Sequence, residues 1–554
     1  VRLTVWTLGG ALLFGAVLYP SLMLLTSSVR SGDRLTGRHL ATVASDPDAL
    51  RVTWNSLYVA GLAAAGATAL GGCLAWLVVR TDLPGRGWLR SALLIPYLVP
   101  PFLGGIAWLH LLGPTGYVNQ VLMALLGRDE PLFRIYGPVG VTLVMALYGY
   151  PMALLVIAGT LEQIEPSLEE AARAAGAGRW RSLRDITLPL AAPGIVAAAG
   201  LTFLSSIANF GIPAVLGFPA KFFVLTTKIY ATIVDFDVPH HLHLASAYSL
   251  VLVAIAVVLL ALQRRLLGRW DFTVVTGRGG ATAPAPLGRW RRPAAVLLWG
   301  FCGLVAAAPL VAVLLAALTR AYGLPPTWRN LTGRSFGVIL FQLPLVWRAL
   351  ANSAFLAFVG ASLVVLLGAA LAHFEVRRPT RALAVVEALV AIPYAVPGTV
   401  VALAMILAFL KPLPLLGLQL YNTLWILLLA YVARFLILGT KPIAAALAQI
   451  DASLEEAARS AGATALRTFR DVTWPLARPA VVAGWFLVAI PAMSELTLSI
   501  LLYSAGNETV GVTAFNLHEE GQVALAAGLA VVIIVATLAG NALARALSGG
   551  RVGF

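Results

Sequence analysis

The sequence predicts an all-α polytopic membrane protein of about twelve transmembrane helices, arranged as two parallel six-helix repeats. Three observations carry this. Of 554 residues, 60% are hydrophobic and only 11% charged, whereas a soluble domain spends roughly a quarter of its residues on charge. The apolar residues fall in runs of about 20, the length that crosses a hydrocarbon core as a helix, and not in the short alternating segments of a membrane β-barrel. Finally, a polar phrase, SLEEAARAAGAGRWRSLRDITLPLAAP at 167–193, returns without gaps as SLEEAARSAGATALRTFRDVTWPLARP at 453–479, with 18 of 27 positions identical.

In chain order, a first repeat at 1–270 holds apolar runs near 3–25, 55–79, 88–112, 136–160, 192–216 and 244–266. The run from Leu3 to Leu25 lacks a clear small-residue cleavage site, so it reads as a retained helix rather than a secretory signal. A stretch rich in Gly, Pro and Arg at 271–292 reads as a cytoplasmic linker. The second repeat, 293–554, holds runs near 293–318, 350–373, 382–409, 421–445, 479–503 and 522–547. Arginines cluster between runs, at Arg80, Arg86 and Arg90, at Arg264, Arg265 and Arg269, and at Arg377, Arg378 and Arg381. Under the positive-inside rule these breaks are cytoplasmic, and so are both chain termini and both copies of the phrase. Six spans is an even number, so the halves insert in the same sense, related by an axis along the membrane normal. The net charge of +15 is accounted for in this way; no basic face interleaved with aromatics points to nucleic acid. Cys73 and Cys302 lie in apolar runs and read as small packing residues.

The duplication extends beyond the phrase. IPYLVPPFLGG at 95–105 matches IPYAVPGTVVA at 392–402, and NSLYVAG at 55–61 resembles NSAFLAF at 352–358. These pairs are 297 residues apart, against 286 for the phrase, which leaves about 11 extra residues in the first half around GPTGYVNQVLMALLGRDEPLFRIYG.

Each copy of the phrase begins as a helix. Ser167 and Ser453 are expected N-caps, with Glu170 and Glu456 completing a capping box. Glu169 and Glu455 add negative charge to the first turn, where the helix dipole favours it. Gly176 and Gly462 stop or bend that helix. A second short basic helix, carrying Arg184 and Asp185 or Arg470 and Asp471, is expected to end at Pro189 and Pro475. Such an element suits docking into a groove on a soluble partner, and two copies suit a partner that is itself two-fold.

Glu170-Ala171-Ala172, Gly176 and Ile186-Thr187-Leu188-Pro189 resemble the EAA loop of ABC-importer membrane subunits. Glu456-Ala457-Ala458, Gly462 and Val472-Thr473-Trp474-Pro475 resemble it too, with Val and Trp as replacements. The resemblance implies the type I importer permease fold, with 165–190 and 451–476 as coupling loops that seat on a dimer of ATP-binding subunits. The coupling residues it implies are Glu169, Glu170, Ala171, Ala172, Gly176, Arg184, Asp185 and Pro189, and Glu455, Glu456, Ala457, Ala458, Gly462, Arg470, Asp471 and Pro475. No G-x-x-x-x-G-K-[ST] phosphate loop occurs in the sequence. ATP and Mg are therefore expected on a separate ATPase, with no cofactor and no enzyme activity in this chain. The resemblance further implies an extracytoplasmic binding protein, a lipid environment and an inner-membrane location in a prokaryote. Two halves fused in one chain resemble ferric-iron and thiamine permeases, and the stretches 208–230 and 494–517 look like the ferric branch. Ferric iron is the first expectation; thiamine, phosphonate, polyamine or another small solute is the alternative.

For the translocation path, Glu495 stands out as an ionisable residue in an apolar run, costly without a partner or an aqueous cavity. Its repeat mate is Asn209, 286 residues earlier. The two read either as a polar constriction or, for Glu495, as half of an interhelical pair with Arg434. Pro96 and Pro393, with Pro100, Pro101 and Pro397, break the third span of each half, as a hinge or a plain kink. PHHLH at 239–243 is not expected to hold metal, because a loop tolerates histidine freely. A secondary transporter would want charges in several spans, and apart from Glu495, Arg434 and Glu387 the spans are almost uncharged. An intramembrane metalloenzyme would want an H-E-x-x-H motif, which the sequence lacks.

Overall fold

The computed structural model describes residues 10, 14–31, 34–268, 285–412 and 417–547. Most of the linker expected at 271–292, and the start of the first expected span, lie outside the described residues. The first part of the chain forms α1 (Phe14–Ser28), α2 (Arg38–Ser45), α3 (Pro47–Arg80), α4 (Arg86–Leu98), α5 (Pro101–Leu112), α6 (Tyr117–Leu126) and α7 (Pro138–Gln163). Then come α8 (Pro166–Ala174), α9 (Trp180–Ile207), α10 (Gly211–Gly217), α11 (Leu225–Val234) and α12 (His241–Leu267). The second part forms α13 (Gly288–Leu318), α14 (Arg334–Phe341), α15 (Pro344–Arg377), α16 (Arg381–Ala395), α17 (Gly398–Phe409) and α18 (Leu424–Ala448). It closes with α19 (Ala452–Ser460), α20 (Ala465–Met493), α21 (Ser499–Leu502), α22 (Val510–Glu519) and α23 (Val523–Leu547). Among the described residues nine helices are long and apolar enough to cross a membrane, or twelve if each sharply bent pair counts as one span. The protein is a multi-pass membrane protein.

Each repeat is built on the same three-helix core. In the first, α3, α7 and α9 pack on one another; in the second, α15, α18 and α20 do. These are the second, fourth and fifth spans of each repeat. Lipid offers no hydrophobic drive for such packing, so the backbones must approach closely, which small residues permit. At Gly71 of α3 an added Cβ would lie 2.7 Å from the Ala153 Cβ and 2.8 Å from the Leu154 nitrogen of α7. Its repeat mate Gly368, in α15, faces the Thr440 nitrogen of α18 at 3.0 Å in the same sense.

The compact units do not divide the chain at its middle. One comprises 47–227 and 251–315; the other comprises the residues up to 46, 228–250 and those from 316 onward. Each repeat's first helix therefore belongs to the unit built on the other repeat's core. In the second-repeat unit, α1 packs on α17, with Tyr19 edge-on to Phe409 at 5.9 Å. In the first-repeat unit, α13 packs on α4, and Phe301 meets Tyr150 at 5.6 Å.

The third span of each repeat is bent sharply, by 100° between α4 and α5 and by 109° between α16 and α17. Both bends come at Val-Pro. Pro100 and Pro397 sit just outside the second helix, and Val99 and Val396 before them are extended, as a residue preceding proline prefers. Pro96 and Pro393 lie within the first arm of each pair, one turn ahead of the bend.

The fifth spans, expected at 192–216 and 479–503, end earlier, at Ile207 and Met493. Asn209 and Glu495 stand in the breaks that follow rather than inside a helix. The extra residues of the first repeat form α6 and the segment after it. Buried Asn119 organises them: its amide donates to Leu112 O, Gly113 O and Phe133 O and accepts from the Phe133 N–H.

Candidate functional site

The two copies of the phrase fold alike. Helix α8 or α19 ends in a glycine of left-handed backbone, Gly176 at φ +85° and Gly462 at φ +87°. The Ala177 N–H bonds back to Ala172 O, and the Ala463 N–H to Ala458 O, the six-to-one bond of a Schellman stop. This explains the spacing from alanine to glycine: the second alanine supplies the carbonyl and glycine supplies the turn. The expected stop at Gly176 and Gly462 is therefore present.

Two local expectations need correction. Ser453 is not the N-cap. Asp451, two residues earlier, caps α19 by accepting the Ser453 N–H at 2.9 Å, a bond that holds its carboxyl below the usual carboxylate range. Ser167 likewise lies inside α8, which starts at Pro166. Nor does the second short helix end at Pro189 and Pro475. It runs on unbroken into the fifth span, as α9 and α20. A single π turn precedes each proline, at Leu183–Thr187 and Phe469–Thr473, in which the Leu188 N–H reaches Leu183 O and the Trp474 N–H reaches Phe469 O. Proline lacks an N–H and crowds the carbonyl four residues back; the wider turn relieves that conflict without breaking the helix.

Glu170, Ala171, Gly176, Arg184, Asp185 and Pro189 are exposed, as are Glu456, Ala457, Gly462, Arg470, Asp471 and Pro475; Ala172 and Ala458 are half-buried. Arg181 pairs with Asp185 at 3.6 Å and Arg470 with Asp471 at 2.7 Å. Glu169 and Glu455 behave differently from the other acidic residues. They are half-buried and turn back toward the spans, each accepting a hydrogen bond from the threonine that closes the π turn: Thr187 Oγ1 to Glu169 at 2.7 Å and Thr473 Oγ1 to Glu455 at 3.1 Å. Sequence reasoning missed the exposed apolar frame of the loops. Leu168, Trp180 and Leu188 are exposed on the first, and their mates Leu454, Leu466 and Trp474 on the second. On the second loop Leu466, Phe469 and Trp474, with Thr464, Arg467 and Arg470, line a hollow of about 550 Å³. The signal was available as apolar residues recurring at aligned positions inside a polar stretch.

Of the candidate path residues, Asn209, Glu495 and Arg434 each meet a structural partner. Asn209 Oδ1 accepts the Ile212 N–H at 3.1 Å, opening α10. Glu495 does the same for α21, accepting the Leu498 N–H at 2.9 Å and the Ser499 N–H at 3.1 Å. The bends at the third spans are stapled by the fourth. Tyr148 OH donates to Val99 O at 2.5 Å, and its repeat mate Arg434 donates to Val396 O at 3.1 Å. Arg434 also lies within electrostatic reach of Glu495. Of the PHHLH residues, His240 and His243 gather round His39 of α2, at ring distances of 6.0 and 5.4 Å. Among the described residues, no group of three or more His, Cys, Asp or Glu is placed to hold a metal ion.

The ferric transport system permease protein of Actinobacillus pleuropneumoniae is 26% identical over 95% of this chain and 75% of its own length. The molybdenum transport system permease protein of Escherichia coli K12 is 34% identical over 32% of this chain and 77% of its own. Among solved structures, a bacterial alginate ABC transporter in complex with an alginate pentasaccharide-bound periplasmic protein matches 48% of this chain and 94% of its own, at a TM-score of 0.42 and 20% identity. The family described as binding-protein-dependent transport system inner membrane component matches at 67–271 and again at 364–549. Those segments fall one in each repeat and together cover more than half of the sequence: the chain belongs to the inner membrane components of binding-protein-dependent transport systems.

Proposed function

We propose that this transport permease carries ferric iron handed over by a binding protein, and that two ATP-binding subunits drive it through the loops at 165–190 and 451–476. The observation that carries the docking reading is the likeness of the two loops. They lie far apart in sequence, yet share a Schellman stop, a left-handed glycine and a π turn. They also expose the same three apolar positions within a charged frame. Apolar anchors inside a polar rim are the anatomy of a protein–protein interface. A loop held rigid by its own backbone bonds loses little freedom when a partner closes on it. In this reading the loops and both chain termini face the cytoplasm, ATP and Mg stay on the partner, and the binding protein meets the opposite side. Ferric iron is favoured because the likeness to a ferric permease runs through both repeats, while the molybdenum permease matches about a third of the chain.

Uptake of labelled ferric iron by cells carrying the ATPase and binding protein tests both halves of the proposal. Deleting this chain should abolish uptake, the wild type should restore it, and a Gly176/Gly462 double substitution to valine should not. Uptake indifferent to the chain would move the cargo to another small solute. Uptake fully restored by the valine variant would remove the docking role of the loops.

A further inference from the structure

Arg80 is the last residue of α3 and Arg377 the last of α15. They are repeat mates, 297 residues apart. Neither span adjoins a loop in sequence, because α8 and α19 are joined covalently only to the fourth and fifth spans. Yet the Arg80 guanidinium donates to Ile164 O at 3.0 Å, immediately ahead of the first loop, and lies within electrostatic reach of Glu169. The Arg377 guanidinium donates to Ile450 O at 3.1 Å and to Glu455 Oε1 at 3.0 Å. Those same carboxylates hold the π-turn threonines, Thr187 and Thr473. Each cluster therefore fastens four pieces at one point: the end of the second span, the end of the fourth, the loop helix and the start of the fifth.

Burial sharpens the point. Glu170, Arg184 and Asp185 of the first loop and Glu456, Arg470 and Asp471 of the second are exposed, whereas Arg80 is 5% exposed and the Arg377 and Glu455 side chains are 15% and 14% exposed. A buried ion pair is weak evidence for stability, since desolvation offsets most of the attraction; what it specifies is geometry. In both copies one guanidinium atom, Nε, is buried and lacks a hydrogen-bond partner among the described residues. The clasp is thus made twice with the same incompleteness. The arginine and the loop reach it through different repeat offsets, 297 and 286 residues, on either side of the first repeat's extra segment.

We infer that Arg80 and Arg377 are positioning residues that pass displacement of the loops to α3 and α15, so that the second, fourth and fifth spans of each repeat move as one body when the ATPase closes. The inference rests on the docking reading above. Without the clasp a displaced loop pulls only on the two spans it is tied to, and α3 and α15 follow late or not at all.

Cys73 gives a direct probe: it lies in α3 and is exposed, whereas Cys302 is buried. The transporter, purified with its ATPase and placed in lipid nanodiscs, is labelled at Cys73 with an environment-sensitive fluorophore, and ATP is added under vanadate trapping. The wild type should show a fluorescence change. Arg80→Met should reduce it about fivefold or more while ATPase subunits remain bound in the same ratio, and Arg80→Lys should restore part of it. Thr187→Val, which removes the hydroxyl that meets Glu169 and Ser182 O and takes away no charge, guards against misfolding of the methionine variant and should reduce the change at least twofold. A full-size change in both Arg80→Met and Thr187→Val would overturn the inference, as would a wild type that shows none. The Gly176/Gly462 valine variant separates the two readings. If it keeps its ATPase and its response, docking through the loops fails; if it loses them while Arg80→Met responds fully, only the clasp fails.

Discussion

Arg434 and Glu495 hold the positions that Tyr148 and Asn209 hold in the first repeat, and the same two jobs are done by a charged pair in one repeat and a neutral pair in the other. One member of each pair satisfies a valine carbonyl freed at a proline bend, and the other caps the helix after the fifth span. A freed carbonyl in hydrocarbon must find a donor, and either a phenol or a guanidinium serves. Removing one buried charge leaves its partner uncompensated, at a cost of about 3–5 kcal/mol. Arg434→Tyr alone should therefore lower the thermal unfolding midpoint in detergent, and adding Glu495→Asn, which writes the first repeat's solution into the second, should recover more than half of the loss. A double variant no better than the single would mean that the charges act on something other than each other. The sequence marked Asn209 and Glu495 as polar residues in apolar company. It did not mark the helix break, because a cap and a mid-helix polar residue have the same signature until the following N–H groups are located.

Among the elements, the loops were the most legible, since polar spacing and glycine both survive in the letters. Their π turns were not: a proline after a basic helix reads as a stop, and only the fused helix shows that the backbone widens instead. Space around Gly176 and Gly462 is open, with nothing within 4 Å of an added Cβ. Backbone angle alone then decides what is tolerated, at roughly 1–2 kcal/mol for an ordinary L residue. Asparagine, which enters the left-handed region more readily, should retain more bound ATPase on co-purification than alanine at both positions, and valine should retain least. A second element-scale prediction concerns α2. Burial, followed by the charges of His243, His240 and Arg38, holds the His39 pKa below its usual value. Folded protein thus binds fewer protons here than unfolded chain. The stabilisation is full above about pH 6.5 and is lost as pH falls below it. Amide protection factors across 38–45 and 239–247, the exchange rates corrected for the intrinsic pH dependence, should fall between about pH 7.5 and about pH 5.5, and His39→Gln should flatten that fall. Unchanged protection would show that His39 does not set the local stability of this segment.

At the scale of the whole molecule, the many membrane spans, nine to twelve among the described residues, and the duplication were readable from run length and from two offsets. The exchange of first helices was not, because an apolar run records that it is buried but not against what. It follows that neither repeat is a folding unit by itself. Cutting the chain between 271 and 284 and co-expressing the two parts should yield an assembled permease, whereas either part expressed alone should be degraded or aggregate. A stable, monodisperse first part would show that α13 is dispensable to the unit it joins. The exchange also sets a schedule for synthesis. α1 leaves the ribosome some 370 residues before α17, against which it packs. At roughly 5–20 residues per second, it waits about 20–75 seconds in the bilayer with its partner unmade. For that interval the face of the first helix that will meet α17 is apolar surface without its partner. The cell membrane must hold it in place until the last third of the chain arrives.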